Sequence, residues 1–198
     1  MAAPMRWVIG SGGVLYSNTT FGGPENIGIV FSLTPPASPG GSWTENVLYN
    51  SGIGGLVIGH GGVFYGVWPG LDGIEGLNGT VLSLTPPATP GDPWTPSVIH
   101  EFPSGTGEDV YSPDDVMVAP NGMLIGAAAS GGAGAGGVFL LTPPASPGGA
   151  WSEVAAHFPH NGSEGRIPSF AVLGRDVIYG STVSGGSTDG GTVFSLVP

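Results

Sequence analysis

The chain contains no cysteine and no lysine, and its only basic side chains are three arginines, Arg6, Arg166 and Arg175. Without cysteine, disulfides are excluded and nothing in the sequence fixes the redox compartment. Fourteen acids against three arginines give a net charge of −11. A nucleic-acid face needs clustered Lys or Arg, so nucleic acid is excluded as a partner class, and an anionic membrane surface falls on the same ground. No apolar run approaches the ~18 residues needed to span a bilayer as a helix. Charged residues make up only 9% of the chain. Cations, neutral glycans and protein surfaces remain as ligand classes.

Glycine and proline are abundant, with 39 and 20 residues. That approaches a disordered composition. Hydrophobic residues are 40% of the chain. Such a chain buries enough apolar surface to offset its ordering entropy, which argues against disorder. Glycine and proline then read as punctuation between many short strands.

Internal repetition is the dominant signal. Three segments are near copies: Val30-Phe-Ser-Leu-Thr-Pro-Pro-Ala-Ser-Pro-Gly-Gly-Ser-Trp43, Val81-Leu-Ser-Leu-Thr-Pro-Pro-Ala-Thr-Pro-Gly-Asp-Pro-Trp94 and Val138-Phe-Leu-Leu-Thr-Pro-Pro-Ala-Ser-Pro-Gly-Gly-Ala-Trp151. A fourth copy begins at Val193-Phe-Ser-Leu196. Phe31 has its counterparts at Leu82, Phe139 and Phe194. That period of a little over fifty positions is the length of a propeller blade. Each unit reads as four strands, A to D. Strand A is Trp7–Ile9 and its counterparts at Leu56, Val116 and Ala171. Strand B is Val14–Tyr16 and its counterparts at Val63, Met123 and Val177. Strand C is the Val-Phe-Ser-Leu segment. Strand D is Val47–Tyr49, Val98–His100 and Val154–Phe158. These runs are β-branched and aromatic, and no helical period appears. Tight Gly or Asn turns join A to B, and the Pro-Pro-x-x-Pro-Gly segment forces a stiff link from C to D. The expectation is a single all-β domain, a β-propeller of four repeats at about 1–52, 53–111, 112–167 and 168–198. A solenoid is the runner-up.

The motifs Leu15-Tyr16, Phe21-Gly22-Gly23, Val30-Phe31-Ser32-Leu33-Thr34-Pro35 and Trp43-Thr44-Glu45-x-Val47-Leu48-Tyr49 carry a resemblance. They are similar to the bacterial glycine-, leucine- and valine-rich tandem-repeat proteins called GloVer, or choice-of-anchor. The resemblance covers nearly the whole chain. It implies propeller-like repeats on secreted or surface-anchored bacterial proteins, and hence an extracellular or cell-surface location. It implies no reaction and no functional residues.

In a meander, successive connections alternate between the two ends of the sheet. The B–C and D–A connections therefore share one end, and they vary in length where the A–B and C–D turns repeat. Variable loops on a repeated scaffold are where function sits. The second B–C loop differs most, with Trp68 as a stacking platform and Asp72 and Glu75 as polar contacts. Arg6 and Arg166 lie just before A strands on the same end and complete the candidate ligand-binding set. Glu108, Asp109, Asp114 and Asp115 place four acids within eight residues. Of these, Asp109, Asp114 and Asp115 form a candidate calcium site, since calcium takes oxygen ligands, though the spacing is not that of an EF-hand. Asp115 and Glu164 are candidates for a glycosidase acid and its partner carboxylate. His100 and His157 recur at one repeat position, which favours packing over ligation. No phosphate loop and no Gly-x-Ser-x-Gly elbow is present.

Three functions from different classes stay open. One is non-catalytic binding of a neutral glycan or a protein through the variable face. The other is a carbohydrate-active hydrolase or lyase. A self-assembling structural module is a third. Four units supply only three D strands, leaving the last repeat without its final strand. The segment Thr192–Leu196 would then be an open edge, which proteins normally cover. A homo-oligomer, a two-fold dimer first of all, is the expected cover.

Overall fold

The computed structural model describes residues 6–50, 52–68, 79–103, 110–131, 135–146, 148–158, 165–175 and 177–197. It is all-β, and helix among the described residues is limited to two three-residue 3-10 turns. The first sheet comprises β1 (Val8–Ile9), β2 (Leu15–Asn18), β3 (Val30–Thr34) and β4 (Thr44–Tyr49). The second comprises β5 (Gly54–Ile58), β6 (Phe64–Trp68), β7 (Thr80–Thr85) and β8 (Thr95–Glu101). The third comprises β9 (Val110–Val118), β10 (Leu124–Gly131), β11 (Gly137–Thr142) and β12 (Ser152–His157). The fourth comprises β13 (Arg166–Leu173), β14 (Ile178–Ser184) and β15 (Val193–Leu196). Every sheet is an antiparallel meander in chain order, and the fourth has three strands among the described residues. The expected strands A to D are all present.

The connections are as regular as the strands. One backbone bond closes the first hairpin of every sheet: Gly10 N to Val14 O, Gly59 N to Val63 O, Ala119 N to Met123 O and Gly174 N to Val177 O, at 2.7–2.9 Å. The Pro-rich links between third and fourth strands also share a closing bond, as in Gly41 N to Ser38 O and Gly149 N to Ser146 O, both 3.1 Å. Pro96 lies inside β8, which is tolerated because β8 is the outer edge of its sheet.

The sheets stack side by side. Their first strands converge, β1 on β5, β5 on β9 and β9 on β13, while the outer strands β4, β8 and β12 are largely exposed. Three apolar clusters hold the stack. Val30, Ile53, Leu56, Phe64 and Leu84 join the first sheet to the second. Val67, Val81, Val116, Leu124, Phe139 and Leu141 join the second to the third. Ile125, Val138 and Ile178, with Phe194 packed on them, join the third to the fourth. Among the described residues no such cluster joins the fourth sheet to the first.

One placement corrects the sequence reading. Asp114, Asp115 and Arg166 were expected on connecting loops; they lie within the strands β9 and β13. Both strands extend past the short apolar run through a β-bulge next to a proline. Ser112 (φ 58°) precedes Pro113, and Ile167 (φ 58°) precedes Pro168. The register shifts between Ala127 and Ala128 in one case and between Pro168 and Phe170 in the other. A proline cannot donate to a ladder, but a bulge leaves a residue unpaired, so pairing resumes beyond it.

Candidate functional site

The inner strands align position by position through their pairing with the second strands, Val8 to Tyr16, Val57 to Tyr65, Met117 to Ile125 and Val172 to Tyr179. Two residues earlier, that alignment places Arg6, Gly55 and Asp115 at one level of adjacent sheets. The three act together. Arg6 donates from Nη1 to Asp115 Oδ1 and from Nη2 to Oδ2, both at 2.9 Å. This fork-to-fork geometry is the strong form of the arginine–carboxylate pair. It joins the first sheet to the third across the second, and Gly55 makes the crossing free of a side chain. A Cβ at Gly55 would stand 2.8 Å from Asp115 Oδ1. The Gly55 φ of 56° is itself a conformation that side chains disfavour.

Neighbours hold both partners. The buried Ser17 hydroxyl donates to the Arg6 carbonyl at 2.7 Å. The Val116 N–H donates to Asp115 Oδ1 at 2.9 Å. The Asp115 side chain is 17% exposed and that of Arg6 36%. Burial pushes the Asp115 carboxyl above its ordinary value, while the Arg6 charge and the Val116 N–H pull against that rise. Beside the pair, Arg6, Trp7, Ile9, Leu56, Ile58 and Met117 line an open cleft of about 430 Å³ that runs toward the far ends of β1 and β5. Most of the side chains lining it are apolar, and Arg6, its one ionic group, is compensated by Asp115.

The other expected site residues divide. Trp68 is the last residue of β6, half-buried, paired with Thr80 at the same end of the sheet as Gly55. Arg166 donates to Asp189 Oδ1 at 3.3 Å, an exposed pair. Asp114 is exposed and Asp115 faces the other side of β9, as successive strand residues must. Both Asp115 oxygens already accept from Arg6. Asp72, Glu75, Asp109 and Glu164 lie outside the described residues. Among the described residues, no three His, Asp or Glu side chains gather as metal ligands would. His100 stacks edge-on to Phe102 with ring centroids 4.7 Å apart and approaches Glu153 at 3.0 Å, a packed position.

Sequence reasoning missed Asp189. It takes φ of 54° and accepts the Gly185 N–H at 2.7 Å, which together with Arg166 holds its carboxyl below the usual range. Asn26 does the same in the first sheet, at φ 56°, accepting the Gly22 N–H at 3.1 Å. An Asx residue four places after a Gly-rich loop begins is the signal that could have found both. Two further cavities lie between sheets at the opposite end. One of about 570 Å³ is lined by Pro120, Met123, Leu140, Leu173 and Arg175, and one of about 700 Å³ by Tyr65, Ser83, Ile99 and Trp151.

The sequence matches no protein-family model and no curated protein. Its likeness to GloVer repeats therefore rests on the motifs quoted above. Among solved structures, the chain is similar to an inulosucrase from Halalkalicoccus jeotgali bound to kestose, with a TM-score of 0.48 and 14% identity. The match covers 96% of this chain and 61% of that one, so the chain spans less than two thirds of that neighbour's length. No described helix is long and apolar enough to cross a membrane.

Proposed function

We propose that this protein is a non-catalytic, extracellular binding module for an uncharged ligand, a neutral glycan or a neutral protein surface. The ligand is taken at the end of the sheets where the inner strands begin. The observation that carries this reading is the Arg6–Asp115 pair. It compensates the carboxylate and the cation at the level where Arg6, Gly55 and Asp115 align. The side chains beside it include Leu56, Ile58 and Met117, which are apolar. Such a surface suits the faces of sugar rings or apolar side chains. Trp68, at the end where the inner strands begin, offers a second and separate ring for such contact. A carboxylate with both oxygens held by a guanidinium is poorly placed to take or give a proton to a substrate.

One observation favours the second reading, a carbohydrate-active hydrolase. Burial raises the Asp115 carboxyl, the direction that a general acid needs. The two readings part in a paired experiment. A glycan array measures binding, and a reducing-end assay on the same polysaccharides measures cleavage. Binding without release of reducing ends is the expected result. Release that disappears in Asp115→Asn would establish the hydrolase instead.

A further inference from the structure

Each internal interface repeats one pairing of faces. The face turned toward the next sheet carries the valine that opens the third-strand motif, and Val30, Val81 and Val138 are each 0% exposed. The face turned toward the preceding sheet carries the first apolar residue of the second strand, and Phe64, Leu124 and Ile178 are at most 1% exposed. The two ends of the stack leave one face of each kind bare. On the fourth sheet, Val193 is 85% exposed and Tyr179 47%. On the first sheet, Trp7 is 46% exposed, where the equivalent Leu56 and Val116 are at 0% and 1%.

Ring contacts follow the same rule. Tyr16 of the first sheet meets Phe64 of the second at 4.8 Å, and Phe64 stacks on Trp94 at 4.9 Å. Tyr65 of the second sheet meets Trp151 of the third at 6.2 Å. Tyr179 stands at the repeat position of Tyr16 and Tyr65, and Trp43, 48% exposed, at that of Trp94 and Trp151.

We propose that the bare face of the fourth sheet seats on the bare face of the first sheet of a second copy, and reciprocally. Two copies then close a single ring of eight sheets, with Tyr179 of each copy against Trp43 of the other. The contact is the internal sheet-to-sheet interface used a fourth time, so nothing new has to be complementary. It joins two different faces, which makes it head-to-tail, and a head-to-tail contact closes into a ring when its rotation permits. Bare apolar faces of this kind are otherwise liabilities. Each chain carries a net charge of −11. The copies therefore repel at long range, and salt should tighten the pair. This differs from edge pairing through β15, which would leave both faces bare.

Light scattering on the full chain at micromolar concentration tests the proposal. The expected mass is twice 19.7 kDa. Tyr179→Asp and Trp43→Arg, both at half-exposed positions, should each give the single-copy mass while circular dichroism and melting temperature stay near those of the parent. Mixing the two variants should restore the doubled mass, because one interface then carries an Asp–Arg pair and the other the parental residues. A single-copy mass for the parent overturns the proposal. So does a doubled mass that survives in both variants, which would point to β15 edge pairing. A mass that keeps growing with concentration overturns the closed ring.

Discussion

Replacing Arg6 by Met removes the cation of the axial pair and keeps most of its apolar stem, so the cost isolates the charge. Asp115, 17% exposed, would be left without its guanidinium partner. Breaking a fully buried pair costs ~3–5 kcal/mol and a surface pair ~0–1, so this part-buried pair should cost about 1–3 kcal/mol at neutral pH. For a chain of this size each kcal/mol moves the melting temperature by ~2–4 °C, giving a drop of roughly 2–12 °C. The sign of the pH dependence follows from burial. The native Asp115 carboxyl sits above its unfolded value, so the native state holds the proton more tightly. Stability from this group is full below the unfolded value, ~3.9, and is lost as pH rises through the native one. Removing Arg6 takes away the main opposing influence, so the native value climbs and the loss above it deepens. The gap between parent and Arg6→Met should therefore be near zero at pH 3 and reach its full size by pH 7, read by calorimetric melts across that range. The Arg6→Met, Asp115→Asn double variant should lose this dependence. A gap of equal size at pH 3 and pH 7 would mean that the Asp115 charge is not its cause.

Three other outcomes follow from the same contacts. In a denaturant titration, Gly55→Ala should destabilise by about 1–2 kcal/mol through its positive φ alone. The loss should be larger still because the new Cβ meets Asp115. Trp68→Ala should weaken ligand binding while costing less than the ~3–5 kcal/mol of a fully buried tryptophan. A larger loss of stability would make the half-buried Trp68 a packing residue. Asp189 has a lowered native carboxyl, so its contribution is present above the unfolded value and is lost as pH falls through the native one. Asp189→Asn should keep the Gly185 amide protected from hydrogen exchange, as Asn26 does for Gly22, and abolish that pH dependence; Asp189→Ala should lose the protection.

The strands were legible because their cause is local. Runs such as Val63-Phe-Tyr65 and Val138-Phe-Leu-Leu141 are β-branched and aromatic, and glycine or proline closes each of them. The repeat then supplied the four-unit architecture and the three-stranded last sheet. The ends of β9 and β13 were not legible, because Ser112-Pro113 and Ile167-Pro168 read as loop while a bulge carries pairing through them. The axial pair was only half legible. Arg6 and Asp115 were each singled out, yet they are 109 residues apart and only the register of three sheets brings them together. Writing the inner strands in one column, with Arg6, Gly55 and Asp115 at the same level, is the step that would have joined them. The bare faces were invisible for a similar reason. Val193 looks like Val30, Val81 and Val138 in sequence, and only the absence of a packed neighbour sets it apart.

Affinity electrophoresis in gels cast with neutral polysaccharides separates binding from catalysis at the charge-compensated Arg6–Asp115 site. The parent and the neutral Arg6→Met, Asp115→Asn double variant run side by side, and each gel is assayed afterwards for new reducing ends. At least one polysaccharide should retard both proteins and yield no reducing ends. Polysaccharide cleaved by the parent and spared by the double variant would make the protein a hydrolase or lyase instead.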